Sequence, residues 1–324
     1  MRLGLTYDLQ TNPQDERQAE WDPPQTLEAL TAALQALGHD VRLLGNAFDL
    51  LRDPARLDGV ELMFNIAEGS HGRCREAWVP ILLELWGVPY VGSDALALAL
   101  GLDKVACKRL AVADGVRTPR WIALEHPARL PDPLPLSFPV IVKPRAQGSG
   151  IGIDAGAVVR DQAALARRAQ VLFQRWPEPL LVEEFVADGE LTVLLIGNDP
   201  PAAYPVVQRP LDPATRLSYH VVHRTTEGSW EAPLVLTPEL EAEAQRVAMV
   251  MCDAIGCRDV ARVDLRVDGA GRVYFLEINP SPSFDPDGTV GLLAQQMGVT
   301  YQTLIGRIVD AALRRLARPR AMRA

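Results

Sequence analysis

The sequence predicts an α/β protein that opens with a parallel sheet. Three observations predict it. Short apolar strands alternate with helical periodicities through the first hundred residues. A strand near residue 140 runs into a lysine and a glycine-rich loop. Between residues 261 and 284, polar residues sit at strand spacing inside two otherwise apolar runs.

The elements follow in order. Residues 3–7 read as a strand, and residues 25–37 carry apolar positions at helical spacing, closed by Gly38. Residues 40–44 and 61–66 read as strands, 75–86 as a helix ending at Gly87, and 88–92 as a short strand. Such alternation favours a Rossmann-like sheet, yet no GxGxxG follows the first strand, so a dinucleotide site there is not expected. A helix is expected over 103–114, a strand over 120–124 and a turn-rich loop over 131–135. A strand over 138–142 then ends at Lys143. A helix over 162–175, strands over 180–186 and 190–196, an amphipathic helix over 238–255 and a closing helix over 301–316 complete the reading.

Composition sets the limits. A chain of 324 residues suggests two or three domains, and 48% hydrophobic with 23% charged residues is ordinary for a globular protein. A net charge of -8 gives no invitation to nucleic acid. No apolar run approaches the roughly 18 residues of a membrane span, and MRLGLTYDL reads as an opening strand rather than a signal peptide. A cytoplasmic protein without membrane or nucleic-acid partners is therefore expected. Cys74, Cys107, Cys252 and Cys257 show no zinc spacing and read as reduced thiols, with Cys74 and Cys107 expected to be packing residues. Arg314, Arg315, Arg318, Arg320 and Arg323 read as a solvated helix end.

Three stretches carry chemistry. In ARVDLRVDGAGRVYFLEINPSPSF, Asp268-Gly-Ala-Gly271 reads as the turn of a β-hairpin. Residues two apart on a strand share a face, so Arg262 with Asp264, and Glu277 with Asn279, can gather one guanidinium, two carboxylates and an amide. Oxygen donors of this kind suit Mg²⁺, which keeps waters and phosphates in its shell. Lys143, emerging from its strand before Gly148-Ser149-Gly150-Ile-Gly152, offers a cation and a row of inward-pointing amides for phosphate. Finally, Glu183-Glu184-Phe-Val186, then Glu190, has the character of a hinge that meets a base with its backbone and a ribose with a carboxylate.

Lys104, Lys143 with its loop, Glu183 to Glu190, Arg262, Asp264, Glu277 and Asn279 occur in the order found in ATP-grasp enzymes. The chain is most similar to their D-alanine–D-alanine ligase branch, from about residue 64 to 316. Gly87-Val-Pro-Tyr-Val-Gly-Ser93 and Leu102-Asp103-Lys104 resemble that branch's amino-terminal signature. The resemblance implies a Rossmann-like domain over residues 1–103, a central ATP-grasp lobe over 104–186 and a carboxyl-terminal lobe over 187–324. It implies ATP and two Mg²⁺ ions, with Mn²⁺ a possible substitute, and small amino-acid substrates; a homodimer is compatible with it. Lys104 and Lys143 would hold phosphates under the loop that carries Ser149 and Gly150. Glu183, the Glu184 carbonyl and the Val186 amide would read adenine, while Glu190 would take ribose. Asp264, Glu277 and Asn279 would hold metal, and Arg262 with the Ser283 amide would stabilise the attacked carboxylate. The implied reaction joins a carboxylate to an amine through an acyl phosphate. Alternatives are a ligase for other amino acids or a small peptide, a phosphotransferase that stops at the acyl phosphate, and a non-catalytic ATP-binding module.

Three departures concern substrate. The family's GMTxxSL-like stretch becomes Pro280-Ser-Pro-Ser283-Phe-Asp-Pro-Asp-Gly288-Thr289, so its carboxylate-gripping Ser falls on Gly288, and Thr289 or a rearranged loop would have to substitute. The family's lid lysine has His223 or Arg224 in its place, with Tyr219 as a candidate closing residue; a zinc site on His220 and His223 is not expected. For the glutamate that meets the first substrate's ammonium, Glu20 is the candidate, followed by Asp22. Arg75 and Glu76 are further candidates for the pocket wall.

Overall fold

The computed structural model describes residues 1–218 and 230–317. Tyr219, His220, His223 and Arg224 lie outside the described residues, as do Arg318, Arg320 and Arg323.

The expected parallel sheet forms. Strands β1 (Arg2–Thr6), β2 (Asp40–Gly45), β3 (Leu62–Asn65) and β4 (Tyr90–Val91) lie in the order β2-β1-β3-β4. Their apolar side chains need cover on both faces, as in other parallel sheets. Helix α1 (Pro24–Ala36) covers one face with Leu27, Leu30 and Leu34. Helices α2 (Ala47–Arg52) and α3 (Trp78–Trp86) cover the other, through Leu50, Val79 and Leu83. Periodicity missed α2, which is only six residues long but starts with a capping box between Asn46 and Asp49. The helix expected from residue 75 begins as a 3₁₀ turn, Arg75–Ala77, and becomes α-helical at Trp78. It ends at Gly87, whose φ of 69° is the left-handed cap that glycine supplies.

Helix α4 (Ala95–Leu102) also escaped the sequence reading. Its Leu residues alternate with Ala and Gly like strand positions, but Asp94 caps Ala97 and Ala and Leu are strong helix formers. Helix α5 (Lys104–Ala113) follows directly, with Asp103 capping Val105 and Ala106.

A second sheet contains β5 (Trp121–Leu124), β6 (Val140–Pro144), β7 (Val158–Val159) and β8 (Leu180–Glu184), ordered β5-β8-β6-β7 and antiparallel. Helix α6 (Gln162–Arg175) packs on it through Leu165, Ala169 and Leu172. The third sheet is built on β9 (Gly189–Ile196), with short β10 (Ala202–Ala203) and β11 (Val207–Arg209) paired to it. Next to β9 lies β12 (Val260–Val267), which pairs with β13 (Val273–Asn279). Helix α7 (Pro238–Ile255) buries Val247, Met251 and Ile255 beneath this sheet. Helix α5 contributes Cys107 and Ala111 to that same core. Cys74, expected to pack, is instead exposed.

Helices α8 (Thr289–Gln296) and α9 (Tyr301–Ala317) return to the first sheet and complete its core with Leu293, Leu304 and Ile308. One expectation for the basic tail is overturned. Arg315 is not a solvated end: it pairs with fully buried Asp259 at 2.6 Å and donates to the Tyr90 carbonyl. Buried Asp259 needs a counter-charge, and α9 supplies it. Arg314 is exposed, as expected.

Candidate functional site

The hairpin sets the geometry. Arg262 stands opposite Asn279 and Asp264 opposite Glu277, with a register shift after Asp264. The Asp264 carboxylate accepts from Arg262 (2.8 Å), Thr192 Oγ1 (2.7 Å) and Asn279 Nδ2 (3.4 Å). Burial pushes its pKa up, but Arg262 and Arg209 outweigh burial and hold it below the usual range. Glu277 reaches Lys104 Nζ at 3.2 Å. Two carboxylates and an amide thus face one space. Among the described residues no group of three His, Cys, Asp or Glu could hold a metal by itself. Asp264, Glu277 and the Asn279 carbonyl still fit a hard cation that completes its shell with phosphate and water oxygens.

Lys104 lies at the start of α5 and donates from Nζ to the Gln147 carbonyl at 2.5 Å, which ties it to the glycine-rich loop. In that loop Ser149 (φ 46°), Gly150 (φ 71°) and Gly152 (φ 73°) are left-handed. Such a conformation costs Ser149 energy that glycine does not pay, as is frequent in ligand-binding loops.

Glu183 is only 1% exposed, and its two oxygens meet Lys143 at 2.6 Å and Lys108 at 2.5 Å. Burial raises its pKa, but the two lysines prevail and hold it at about 2. Lys108 also donates to Thr118 Oγ1, which donates to the Phe275 carbonyl, so this buried network joins β8 to β13. The carboxylate expected to read adenine is therefore engaged by two lysines. Sequence reasoning missed Lys108, whose signal was a charge on the apolar face of α5. Glu184 turns its carboxylate to the Ser137 amide, and the Val186 amide has no hydrogen-bond partner among the described residues. Beside them Ile141, Ile153, Phe185, Leu217 and Leu276 line a narrow slot. Glu190 pairs with Arg266 at 2.7 Å, and Arg266 lies over the Phe185 ring; Arg266 is a second residue that the sequence reading missed.

A larger cavity of about 400 Å³ adjoins the slot, with Lys104, Glu190, Asp264 and Glu277 lining both. Ser283 is exposed on its rim, and Gly288 and Thr289 lie at the start of α8. Gly291 lets that helix start beneath the preceding loop, since a Cβ there would stand 1.5 Å from the Pro286 carbonyl oxygen. Arg209, the third missed residue, donates to Thr192 Oγ1 (3.2 Å) and Thr289 Oγ1 (3.1 Å). Burial, with Arg262 nearby, lowers its pKa.

Glu20, Asp22, Glu68 and Glu76 form the opposite wall. Glu20 bonds Arg75 at 2.5 Å and the Gly148 amide at 2.5 Å, linking the amino-terminal loop to the glycine-rich loop. Arg75, a candidate wall residue, lies instead behind the wall at 4% exposure and also donates to the Ala146 carbonyl. Burial, with Asp285 and Asp8, pushes Asp22 up to about 7, and burial, with Glu20, pushes Glu76 up to about 8.

A stability prediction follows. Unfolded carboxyls titrate near pH 4, so between about pH 4 and 8 the folded chain holds more protons than the unfolded one. Stability supplied by these groups is complete below that window and lost as pH rises through it. The unfolding temperature of the free protein should fall from pH 5 to 8, and Asp22→Asn should flatten the fall. An unchanged slope in the variant would refute the shift.

Comparison with known proteins places this architecture. The family profile described as D-ala D-ala ligase C-terminus matches residues 113–310. The D-alanine–D-alanine ligase of Xanthomonas axonopodis pv. citri is 32% identical over 83% of this chain and 88% of its own. The protein y4sG of Sinorhizobium fredii is 32% identical over 97% of this chain and 93% of its own. The crystal structure of the Bacillus anthracis D-alanine–D-alanine ligase complexed with ATP superposes with a TM-score of 0.75 at 22% identity, covering 97% of each chain. The VanG D-Ala:D-Ser ligase of Enterococcus faecalis gives 0.72 at 17% identity, covering 96% of this chain and 99% of its own.

Proposed function

Because this chain belongs to the D-alanine–D-alanine ligase family of ATP-grasp enzymes, we propose that it joins the carboxylate of one amino acid to the amine of another, with conversion of ATP to ADP. The observation that carries this reading is the hairpin register, which sets Asp264 opposite Glu277 and Arg262 opposite Asn279 where a narrow slot meets a wider cavity. Acyl phosphate formation gathers negative charge at the attacked carboxylate and the transferred phosphoryl group, so fixed cations supply most of the catalysis.

Adenine takes the apolar slot against the Glu184 carbonyl and the Val186 amide. Glu183 acts there mainly by orienting Lys143. Glu190, held by Arg266, takes ribose hydroxyls. Lys104, Lys143 and the amides around Ser149 and Gly150 hold the phosphates. Asp264, Glu277 and Asn279 would hold two Mg²⁺ ions, or Mn²⁺; bound metal neutralises charge on the transferring phosphoryl group. Arg262 and the Ser283 amide face the developing oxyanion, and Glu20 stands on the wall that meets the first substrate's ammonium. The three sheets support reading the chain as units 1–103, 104–186 and 187–324, with α5 docked on the third.

Synthesis of a D-alanine dipeptide is the first reading, supported by the relatives' names. Arg209 favours other partners as a second reading. Among the described residues it bonds two threonine hydroxyls and no carboxylate, where Gly288 replaces the expected serine, and so offers a guanidinium to the amine substrate's carboxylate. Arg209→Leu should raise KM for that substrate about 10–100-fold, the weight of a lost charge-assisted bond. An amidated amine substrate should be affected much less; equal effects on both would remove Arg209 from this role.

No helix among the described residues is long and apolar enough to cross a membrane, and we place the reaction in the cytoplasm, where ATP is available. Exposed Phe48, Leu51, Ile81 and Leu85 on α2 and α3 support a homodimer, which sedimentation would test. The central test is a pairwise amino-acid screen for ADP release, with mass spectrometry of products. ATP binding without turnover of any carboxylate–amine pair would sink the ligase reading. Hydroxylamine trapping without amide product would favour a phosphotransferase.

A further inference from the structure

The larger cavity is lopsided in charge. On the hairpin side Lys104, Arg209 and Arg262 are offset by Glu190, Asp264 and Glu277. Across from them, Asp22, Glu68 and Glu76 line the wall with carboxylates that form no hydrogen bond and no ion pair among the described residues. Asp22 is the clearest case. It is 93% buried (7% exposed), and among the described residues only its backbone is bonded, to Asp8 and Gln10. The obvious counter-ion is already committed: Arg75 pairs with Glu20, and its remaining bonds go to the Ala146 and Gly72 carbonyls.

Unpaired buried carboxylates are costly. Burial holds Glu68 well above its ordinary pKa and raises Asp22 and Glu76 too, which disfavours their charged forms. A cation entering the cavity would let them ionise. One α-ammonium carries one charge and can be matched by a single carboxylate; three are on offer beyond Glu20. They are also spread along the wall. Glu76 feels Glu20, Arg75 and Lys104 at one end, Asp22 feels Asp285 and Asp8 at the other, and Glu68 between them feels Glu76, Glu20 and Asp22. Such a wall suits two separated positive charges.

We infer that this cavity takes a diamino acid, an amino acid whose side chain carries a second ammonium, with Asp22 and Glu68 receiving that side-chain charge. The inference rests on the ligase reading and names its substrate class. No further bond is made or broken: the side-chain ammonium is bound and does not react.

The test compares ornithine with norleucine, in which a methyl group replaces the side-chain ammonium, using each enantiomer as either partner. ADP release with mass spectrometry and calorimetric binding to the ATP-loaded protein are both measured. We expect kcat/KM to favour ornithine about 10–100-fold, and Asp22→Asn and Glu68→Gln each to shrink that ratio. Removing a buried charge does not threaten the fold, and calorimetry checks binding independently of turnover. Equal or better use of norleucine would overturn the inference and leave the ligase reading standing. No turnover of any pair, with ornithine bound more tightly than norleucine, would overturn the ligase reading and support the pocket. No turnover with equal binding would overturn both.

Discussion

Glu277→Gln is expected to reduce kcat for ADP release by at least about 10³-fold while leaving the fold intact. Loss of one preorganised electrostatic contact commonly costs 10²–10³ in rate, and this substitution removes two. The side chain keeps its shape but loses the charge that faces the metal position, and it loses its ion pair with Lys104 at 3.2 Å. Glu277 is partly exposed to the cavity, with a side-chain exposure of 25%, so the packing beneath it has little to lose. Far-ultraviolet circular dichroism and the unfolding temperature should therefore match the parent protein. Increasing Mg²⁺ should recover only a small part of the rate, because the amide oxygen is a weaker ligand than a carboxylate. Near-normal turnover would remove Glu277 from the metal site and, with it, the central support for hairpin-based phosphoryl transfer.

Glu183→Leu should act on stability first. Its carboxylate is 1% exposed and is the shared partner of Lys108 and Lys143, which are 0% and 5% exposed. Truncation would leave two buried ammonium groups facing each other without a counter-ion. Breaking a buried pair from one side typically costs about 3–5 kcal/mol. For a chain of this size that is a fall on the order of 10 °C in unfolding temperature. Because Lys108 continues through Thr118 to the Phe275 carbonyl, the loss would loosen the seam between the second and third sheets. ATP affinity should fall as well, since Lys143 loses what orients it. Adding Lys108→Met should restore part of the stability by removing one stranded charge. A single variant as stable as the parent would show that the lysines shed their protons at little cost.

The sequence carried the strand–helix alternation, the hairpin and the phosphate loop because these are local. A two-residue period decides which residues of one strand share a face, but the register shift between Asp264 and Leu265, which sets Asp264 opposite Glu277 and Arg262 opposite Asn279, is not written in the turn Asp268-Gly-Ala-Gly271. Helix α4 was hidden by a strand-like alternation of leucines, and α2 by its brevity. The basic tail misled for another reason: Arg315 finds a buried partner 56 residues away in sequence, and nothing local in the helix marks it.

What the sequence by itself determined, then, is the chemistry: a family of ATP-dependent ligases, with lysines, glycine loop and acidic hairpin in a recognisable order. Tertiary structure alone decided how charges are shared among those residues. It gave Glu183 to two lysines, set Glu20 on Arg75 and the loop, and, among the described residues, left Arg209 without a carboxylate and set buried Asp22 with half-buried Glu68 and Glu76 unpaired along one wall. The physical reason is that an ion pair or an unmet charge depends on distance and desolvation between segments far apart in the chain, and neither quantity is written in the order of residues.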